Sequence, residues 1–184
     1  MVTRRTFRLS LVAVAAFFSF WSTEGQAFDL TSSDVANGAM MRTAQVNSRC
    51  GGENRSPALV WTGAPQATRG FALTMFDSDA NSGHGFWHWV VFHIPSSALS
   101  LPDGAGSGAG LPSGAVQGQN DFGDVGYGGP CPPPGSGTHH YIFTLYALPA
   151  ASLPLDSKAT PTAIAQYAKA HALATATLTG IYRR

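Results

Sequence analysis

The sequence predicts a mainly-β domain with few helices, and three observations support this fold class. Three segments form nearly continuous apolar runs rich in aromatic residues, as expected for strands buried inside a sheet: GFALTMFD (70–77), FWHWVVFHIP (86–95) and HHYIFTLYAL (139–148). The 21 glycines and 12 prolines among 184 residues predict many turns and long loops between such strands. A single Ala-rich segment near Thr160–Ala174 has a helical character.

The weaker elements follow from local turn and strand signals. Short strands are expected over Phe28 to Leu30, over Leu59 to Trp61, within 115–123 and over Thr175 to Tyr182. Residues 78–85 (SDANSGHG) predict a turn, because Asn, Ser and Gly tolerate the conformations that turns require. The proline-rich segment 127–138 excludes regular structure, and residues 101–114 predict a flexible surface loop. Thr160 and Pro161 suit the first positions of the helix.

The N-terminal segment is typical of an export signal. Arg4, Arg5 and Arg8 precede an apolar run from Leu9 to Phe20 that is short for a membrane span. We expect cleavage after Ala27, which leaves a single domain over 28–184 in the periplasm or outside the cell. The pair of arginines also resembles a twin-arginine signal, and a retained N-terminal anchor is the alternative. The mature chain is expected to contain no transmembrane segment.

Two cysteines, Cys50 and Cys131, remain after the leader. An even cysteine count in an exported chain favours a disulfide, with two unpaired thiols as the alternative.

The net charge of the chain limits the classes of partner that are expected. The formal net charge is +1 and no basic run stands out, so nucleic acid is not an expected partner.

Ionisable side chains cluster where the three strong strands begin or end. Asp77 and Asp79 follow the first, His88 opens the second, and His139 and Tyr141 open the third. Because side chains alternate between the faces of a strand, His139 and Tyr141 share a face, while His88 faces away from both neighbouring tryptophans. If the strand ends converge, histidine and tyrosine donors would form a pocket for a phosphate-type anion. Backbone N–H groups of residues 128–133 could add further donors.

Simpler interpretations compete with this pocket. An aspartate beside a turn often accepts local backbone N–H bonds, and a histidine within an apolar strand is commonly structural. His84, His93, His140 and His171 are assigned that structural role. Neither a metal nor another cofactor is expected, because no recognised ligand spacing is present. The absence of a Gly-x-Ser-x-Gly motif leaves a serine hydrolase without its main sequence signal.

Four ordered motifs resemble the phosphatidylethanolamine-binding protein family, in particular its bacterial Raf kinase inhibitor-like branch. They are FALTMFDSDA…WHWVVFHIP, GPCPPPGSGTHHYIFTLYAL, CGGENRSPALVW and LPSGAVQGQNDFG. The resemblance covers roughly 28–182 and implies an antiparallel β-sandwich with a small anion-binding pocket at one end of a sheet. Bacterial relatives also imply a homodimer.

The resemblance assigns roles to individual residues. The positions that match the family's motifs are expected to bind the ligand. They are Asp77, Asp79, His88, Gly129, Pro130, Pro132, His139 and Tyr141. Ser78 and Asn81 stand where the family's acidic motif has prolines, which predicts a less rigid loop. A Cys50–Cys131 disulfide would clamp two loops beside this pocket.

These observations favour an exported protein that binds a small anionic ligand, either phosphate or a phospholipid headgroup, in a non-catalytic binding or regulatory role. One alternative is a protein–protein interaction or inhibitor module that uses the loop 101–114. A second is a phosphatase or esterase, for which no catalytic residue can be named because the sequence shows no identifiable nucleophile.

Overall fold

The computed structural model describes residues 26–184 and has two antiparallel sheets. Residues 1–25 of the predicted export signal (1–27) therefore lie outside the described part of the chain. The strands are β1 (Asp29–Thr31), β2 (Leu59–Thr62), β3 (Gly70–Asp77), β4 (Phe86–Pro95), β5 (Ser100–Leu101), β6 (Val116–Gln117), β7 (His139–Leu148) and β8 (Ala174–Tyr182). The smaller sheet has the order β1-β2-β5 and the larger one has the order β6-β4-β3-β7-β8.

The helical elements are few and short. They are the helix α2 (Pro161–His171) and two 3₁₀ turns (Ser48–Cys50 and Ala105–Ser107). The segment α1 (Ala80–Gly83) is a turn in which Asn81 and Ser82 have positive φ, as the predicted turn over 78–85 requires. The mainly-β prediction is confirmed, and the three strong strands have the bounds that the sequence predicted.

The large sheet is buried on both faces, which explains the continuous apolar runs. One face packs against the small sheet in a core that includes Trp61, Phe71 and Phe143. The opposite face packs against α2, where Val90 and Ile164 are fully buried. The fold is therefore a β-sandwich with a helix on the outer face of its larger sheet.

The helix α2 begins as predicted but ends earlier. The Thr160 side chain accepts a hydrogen bond from the Ala163 N–H at 3.2 Å, and Pro161 occupies the first turn. The helix stops at His171 and not near Ala174, because Ala172 is extended and the Leu173 N–H donates to the Ala147 carbonyl at 2.8 Å. Pairing of β8 with β7 thus overrides the high helix propensity of this segment.

The loop 101–114 is only partly the exposed segment that the sequence predicts. Leu101 pairs with Leu59, and Ala105 is fully buried in the core. The Gly106 N–H donates to the Ser56 hydroxyl at 2.8 Å. The apolar Leu101 and the small Ala105 can enter the core, so the exposed part of the loop is limited to residues 102–103, 107–110 and 113–114.

Candidate functional site

A β-bulge in β4 determines which side chains reach the end of the large sheet. Met75 pairs with Trp89 and Phe76 pairs with Trp87, so His88 is the extra residue on the bulged strand. Trp87 points toward the helix, where its indole N–H donates to Thr162 at 3.0 Å. His88 therefore lies on the same face as Trp89. The prediction that His88 faces away from both tryptophans is wrong for Trp89, since strict alternation does not hold across a bulge.

Asp77 is the central acceptor of the cluster. Its Oδ2 atom lies 2.7 Å from His139 Nδ1 and 4.0 Å from His88 Nε2. Its Oδ1 atom accepts the backbone N–H groups of Asp79 and Ala80 at 2.9 and 3.2 Å. Asp77 thus combines the capping role of an aspartate at a turn with a hydrogen bond to the His139 ring. Its side chain is only 3 % exposed.

His88 is held by a backbone carbonyl. Its Nδ1–H donates to the Gly128 carbonyl at 2.6 Å, which leaves Nε2 on the side of Asp77. Burial lowers the pKa of His88, and the Gly128 contact and the charge of Asp77 only partly oppose this. In the ligand-free protein His88 is therefore a neutral imidazole at neutral pH. Its Nε2 becomes a donor only when it takes up a proton.

Tyr141 has a hydroxyl group that no other described residue satisfies. The side chain is fully buried, and its oxygen has no hydrogen-bond partner within residues 26–184. The ring lies 5.1 Å from that of His88 and 6.5 Å from that of His139. Burial, reinforced by the charge of the Asp77 carboxylate and by its closeness to the hydroxyl, raises the pKa of Tyr141, so the hydroxyl stays protonated and able to donate.

Asp79 and His140 form a second carboxylate–imidazole pair at the rim. Asp79 Oδ2 accepts from the His140 backbone N–H at 2.7 Å and from Nδ1 at 2.9 Å. Although desolvation opposes it, these bonds lower the pKa of Asp79. His140 was assigned a purely structural role, and its contact with Asp79 places it beside the cluster.

The other histidines occupy local structural positions. His84 contacts the Asn81 carbonyl at 2.9 Å, His93 contacts the Leu153 carbonyl at 3.2 Å and His171 contacts the Tyr167 carbonyl at 2.8 Å. None of the three lines the cleft described below.

The proline segment builds a wall, but it does not offer the row of backbone donors that the sequence suggested. The Gly128 N–H donates to the His88 carbonyl at 2.8 Å and the Gly129 N–H donates to Asn54 at 2.7 Å. Gly129 and Pro130 do not line the cleft, whereas Pro132 does. A Cβ atom on Gly129 would collide with the Gln45 carbonyl, so this glycine is required for close packing.

Cys50 and Cys131 form a disulfide, as predicted. Their Cα atoms lie 5.6 Å apart, and 81 positions separate them in the sequence. Cys131 also lines the cleft. The disulfide thus ties the proline segment to the 3₁₀ turn at Ser48–Cys50.

These groups surround a cleft of about 470 Å³. Six of the predicted site residues line this cleft: Asp77, Asp79, His88, Pro132, His139 and Tyr141. No Lys or Arg side chain among the described residues lines it. Its donors are therefore imidazole and hydroxyl groups and not fixed cations. The described residues contain no group of three or more His, Cys, Asp or Glu side chains arranged to hold a metal.

Sequence reasoning did not single out several residues that line the cleft, and three of these contact its histidines: Phe86, Phe122 and Ser136. Phe86 and Phe122 pack edge to face with ring centroids 4.7 Å apart, and Phe122 also contacts His88. Ser136 lies 2.9 Å from His139 Nε2. A hydroxyl residue between two glycines, three positions before His139, was the available signal for Ser136.

Comparison with known proteins identifies the family. The family model described as phosphatidylethanolamine-binding protein matches residues 31–183. The chain belongs to the phosphatidylethanolamine-binding protein family. It is 43 % identical to YbcL of Escherichia coli over 178 residues, covering 95 % of this chain and 97 % of YbcL. It is 38 % identical to YbhB of the same organism, and the match covers 83 % of this chain and 98 % of YbhB.

The architecture agrees with this family assignment. The crystal structure of E. coli YbcL, titled a new member of the mammalian PEBP family, superposes with a TM-score of 0.82 and covers 85 % of this chain and 98 % of that one. A Mycobacterium tuberculosis relative named as lipoprotein LppC is 40 % identical, with 74 % of this chain and 64 % of that protein covered. No helix in residues 26–184 is long and apolar enough to cross a membrane.

Proposed function

We propose that this family member binds a phosphate-type anion in the cleft, either free phosphate or the phosphate of a lipid headgroup. The observation that carries the proposal is the Tyr141 hydroxyl, a buried donor that makes no hydrogen bond of regular geometry within residues 26–184. Leaving such a group unpaired costs about 1–3 kcal/mol. A ligand oxygen beside Tyr141 would recover this energy.

The charges of the cleft require binding to be coupled to a proton. Two aspartates line it, whereas Arg49 and Arg184 contact the wall residues Phe122 and Pro132 without lining the cleft themselves. The charges that line the cleft therefore oppose a dianion. An anion near His88 Nε2 would favour the imidazolium form and supply a charge-assisted donor. Affinity should therefore increase as the pH falls through the His88 pKa of the complex, until the free protein is protonated as well.

This coupling is measured best with an anion that does not itself titrate. Isothermal titration of sulfate between pH 8 and pH 5 should show increasing affinity and proton uptake. Replacing His88 with Gln should remove the pH dependence. Affinity independent of pH in the unmodified protein would contradict the assigned role of His88.

Two tyrosines provide a matched test of the ligand position. The Tyr141 hydroxyl has no protein partner, whereas the equally buried Tyr127 hydroxyl donates to the Gln45 carbonyl at 2.9 Å and lies outside the cleft. Tyr141→Phe should weaken phosphate binding by about 10- to 100-fold at unchanged stability, because a hydrogen bond to a charged group is worth about 1.5–3 kcal/mol. Tyr127→Phe should lower stability and leave phosphate affinity unchanged.

Phosphate and phosphoethanolamine should be titrated in parallel. Equal affinities would indicate that only the phosphate is recognised, and tighter binding of phosphoethanolamine would indicate a headgroup. A His88→Ala, His139→Ala double variant should bind neither ligand. Unchanged binding in that folded variant, or in Tyr141→Phe, would refute the assignment of the cleft.

Export is part of the same proposal. We infer that the protein works outside the cytoplasm, because the disulfide forms in oxidising compartments and one relative is named a lipoprotein. Fractionation of cells that express the full chain should place the processed protein, with its disulfide intact, outside the cytoplasm. A fully cytoplasmic, reduced protein would contradict this.

A further inference from the structure

Ser136, His139 and Asp77 form a continuous hydrogen-bonded series at the edge of the cleft. Ser136 Oγ lies 2.9 Å from His139 Nε2, and His139 Nδ1 lies 2.7 Å from Asp77 Oδ2. Since the Asp77 carboxylate can only accept, His139 carries a proton on Nδ1. In neutral His139 the Nε2 lone pair then faces Ser136 Oγ, whose one proton can turn either to Nε2 or to the Pro133 carbonyl.

The orienting carboxylate is fixed as such a series requires. Asp77 is buried, and its second oxygen is held by the backbone N–H groups of Asp79 and Ala80. His139 is also buried, whereas Ser136 is exposed and lines the cleft. Ser136 can therefore meet a bound molecule while the Asp77 carboxylate stays protected from water.

We propose that Ser136 is a nucleophile for acyl transfer, with His139 as its general base and Asp77 as the residue that orients His139. A serine–histidine–carboxylate set is recognised by this connectivity and not by its position in a sequence motif. A substrate with an uncharged acyl group suits a cleft that two aspartates line. The chemical class is accordingly a small carboxylic ester.

The cleft also contains a donor for the charge that develops. The Tyr141 hydroxyl has no protein partner and shares the cleft with Ser136. Preorganised donors at the oxyanion supply a large part of acyl-transfer catalysis. The inference thus uses the same donor as the proposed anion site, but it adds a covalent step that anion binding does not require.

The reaction balances with water as the second substrate. Ser136 Oγ forms a bond to the ester carbonyl carbon while its proton moves to His139 Nε2 and the carbonyl electron pair moves to oxygen, facing Tyr141. Collapse breaks the bond to the alcohol, which leaves with the proton from His139. Water then attacks the acyl-serine in the same manner, releasing the carboxylic acid and restoring Ser136.

A second serine provides the matched control. The Ser136 hydroxyl can also donate to the Pro133 carbonyl, three residues earlier, at 2.8 Å, a common bond in turns. Its single proton is therefore shared between this carbonyl and His139 Nε2. Ser107 makes the same local bond to the Gly104 carbonyl at 2.9 Å and is also exposed, but it contacts no histidine. The two serines therefore differ in the presence of a base and not in their turn.

The test is covalent labelling of the folded protein with a fluorophosphonate probe, followed by peptide mapping. Ser136 should be labelled at least about 100-fold faster than Ser107, the range that an aligned base supplies. Ser136→Ala should abolish the adduct and the burst with p-nitrophenyl acetate, and Ser107→Ala should change neither. Equal labelling of both serines, or no adduct on Ser136, would overturn the proposal.

The same variants separate this inference from the anion proposal. Ser136→Ala alters an exposed turn, so it should fold, and phosphate binding is measured in the unmodified protein and in Tyr141→Phe. If phosphate does not bind but Ser136 is labelled selectively, acyl transfer stands and anion binding fails. If phosphate binds through Tyr141 and Ser136 is not labelled, the cleft is a binding site and Ser136 is only a turn residue.

Discussion

Two carboxylate–imidazole pairs at the same strand ends have similar distances and opposite surroundings. Asp77 and His139 are 2.7 Å apart with side chains 3 % and 6 % exposed. Asp79 and His140 are 2.9 Å apart with side chains 40 % and 50 % exposed. His140 is one position after His139 in β7, and Asp79 is two positions after Asp77 at the end of β3. These small shifts place one pair at the floor of the cleft and the other at its rim.

The comparison shows that burial, more than contact distance, determines what each pair can do. A buried pair that loses one partner leaves an unpaired polar or charged group, at a cost of about 3–5 kcal/mol. An exposed pair contributes about 0–1 kcal/mol, because water competes for both partners. Asp77 can therefore fix His139 for ligand binding or proton transfer, whereas Asp79 mainly shapes the rim.

The largest expected effect on stability comes from removing the disulfide that anchors the proline segment beside the buried pair. Replacing Cys50 and Cys131 with Ser should lower the free energy of unfolding by about 4–5 kcal/mol, because the disulfide closes a long loop in the unfolded chain. Chemical unfolding of the oxidised protein and of the double variant measures this. A loss below about 1 kcal/mol would show that the disulfide constrains the unfolded chain little.

Breaking the buried pair directly should have the next largest effect. Asp77→Ala removes the partner of His139 and the cap of two backbone N–H groups, and should cost about 3–5 kcal/mol in urea unfolding. Asp79→Ala, in the exposed pair, is the matched control and should cost under about 1 kcal/mol. Equal losses would contradict the role given to burial.

The pH dependence of stability sharpens the comparison further. Burial lowers the pKa of His88 in the folded protein, so below the unfolded value of about 6.5 the unfolded chain binds more protons. Stability should decrease as the pH falls through this range, and the decrease should be smaller in His88→Gln. Parallel pH profiles for the two proteins would contradict a neutral, buried His88.

The smallest effect should come from the exposed pair. The pKa of Asp79 is lowered in the folded protein, so its stabilisation is present above its unfolded pKa and is lost as the pH falls through the folded value. Asp79→Asn should reduce stability at pH 6 by less than about 1 kcal/mol, and added salt should shrink the difference. A larger, salt-independent loss would show that the pair is more protected than its exposure indicates.

Much of the fold could be predicted because strands buried on both faces leave a strong pattern. The bounds of β3, β4 and β7 follow from their apolar runs, and Thr160 and Pro161 mark the start of α2. The end of α2 could not be predicted, because pairing of β8 with β7 competes with helix propensity there. The end point depends on a tertiary contact that the local sequence does not record.

The candidate site could be predicted in its residue types but not in its geometry. Alternation placed His139 and Tyr141 together, and the structure agrees. The bulge at His88 has no sequence signal, and strict alternation gave the wrong relation to Trp89. The contact between Ser136 and His139 and the internal use of the Gly129 N–H depend on how the proline segment folds back.

The most direct test of the central claim is a crystal structure of the purified protein soaked with phosphate, with phosphoethanolamine as a second soak. The account predicts an anion in the cleft with an oxygen within hydrogen-bond distance of the Tyr141 hydroxyl and of His88 Nε2. An empty cleft at saturating phosphate, or an anion bound only elsewhere on the surface, would contradict it.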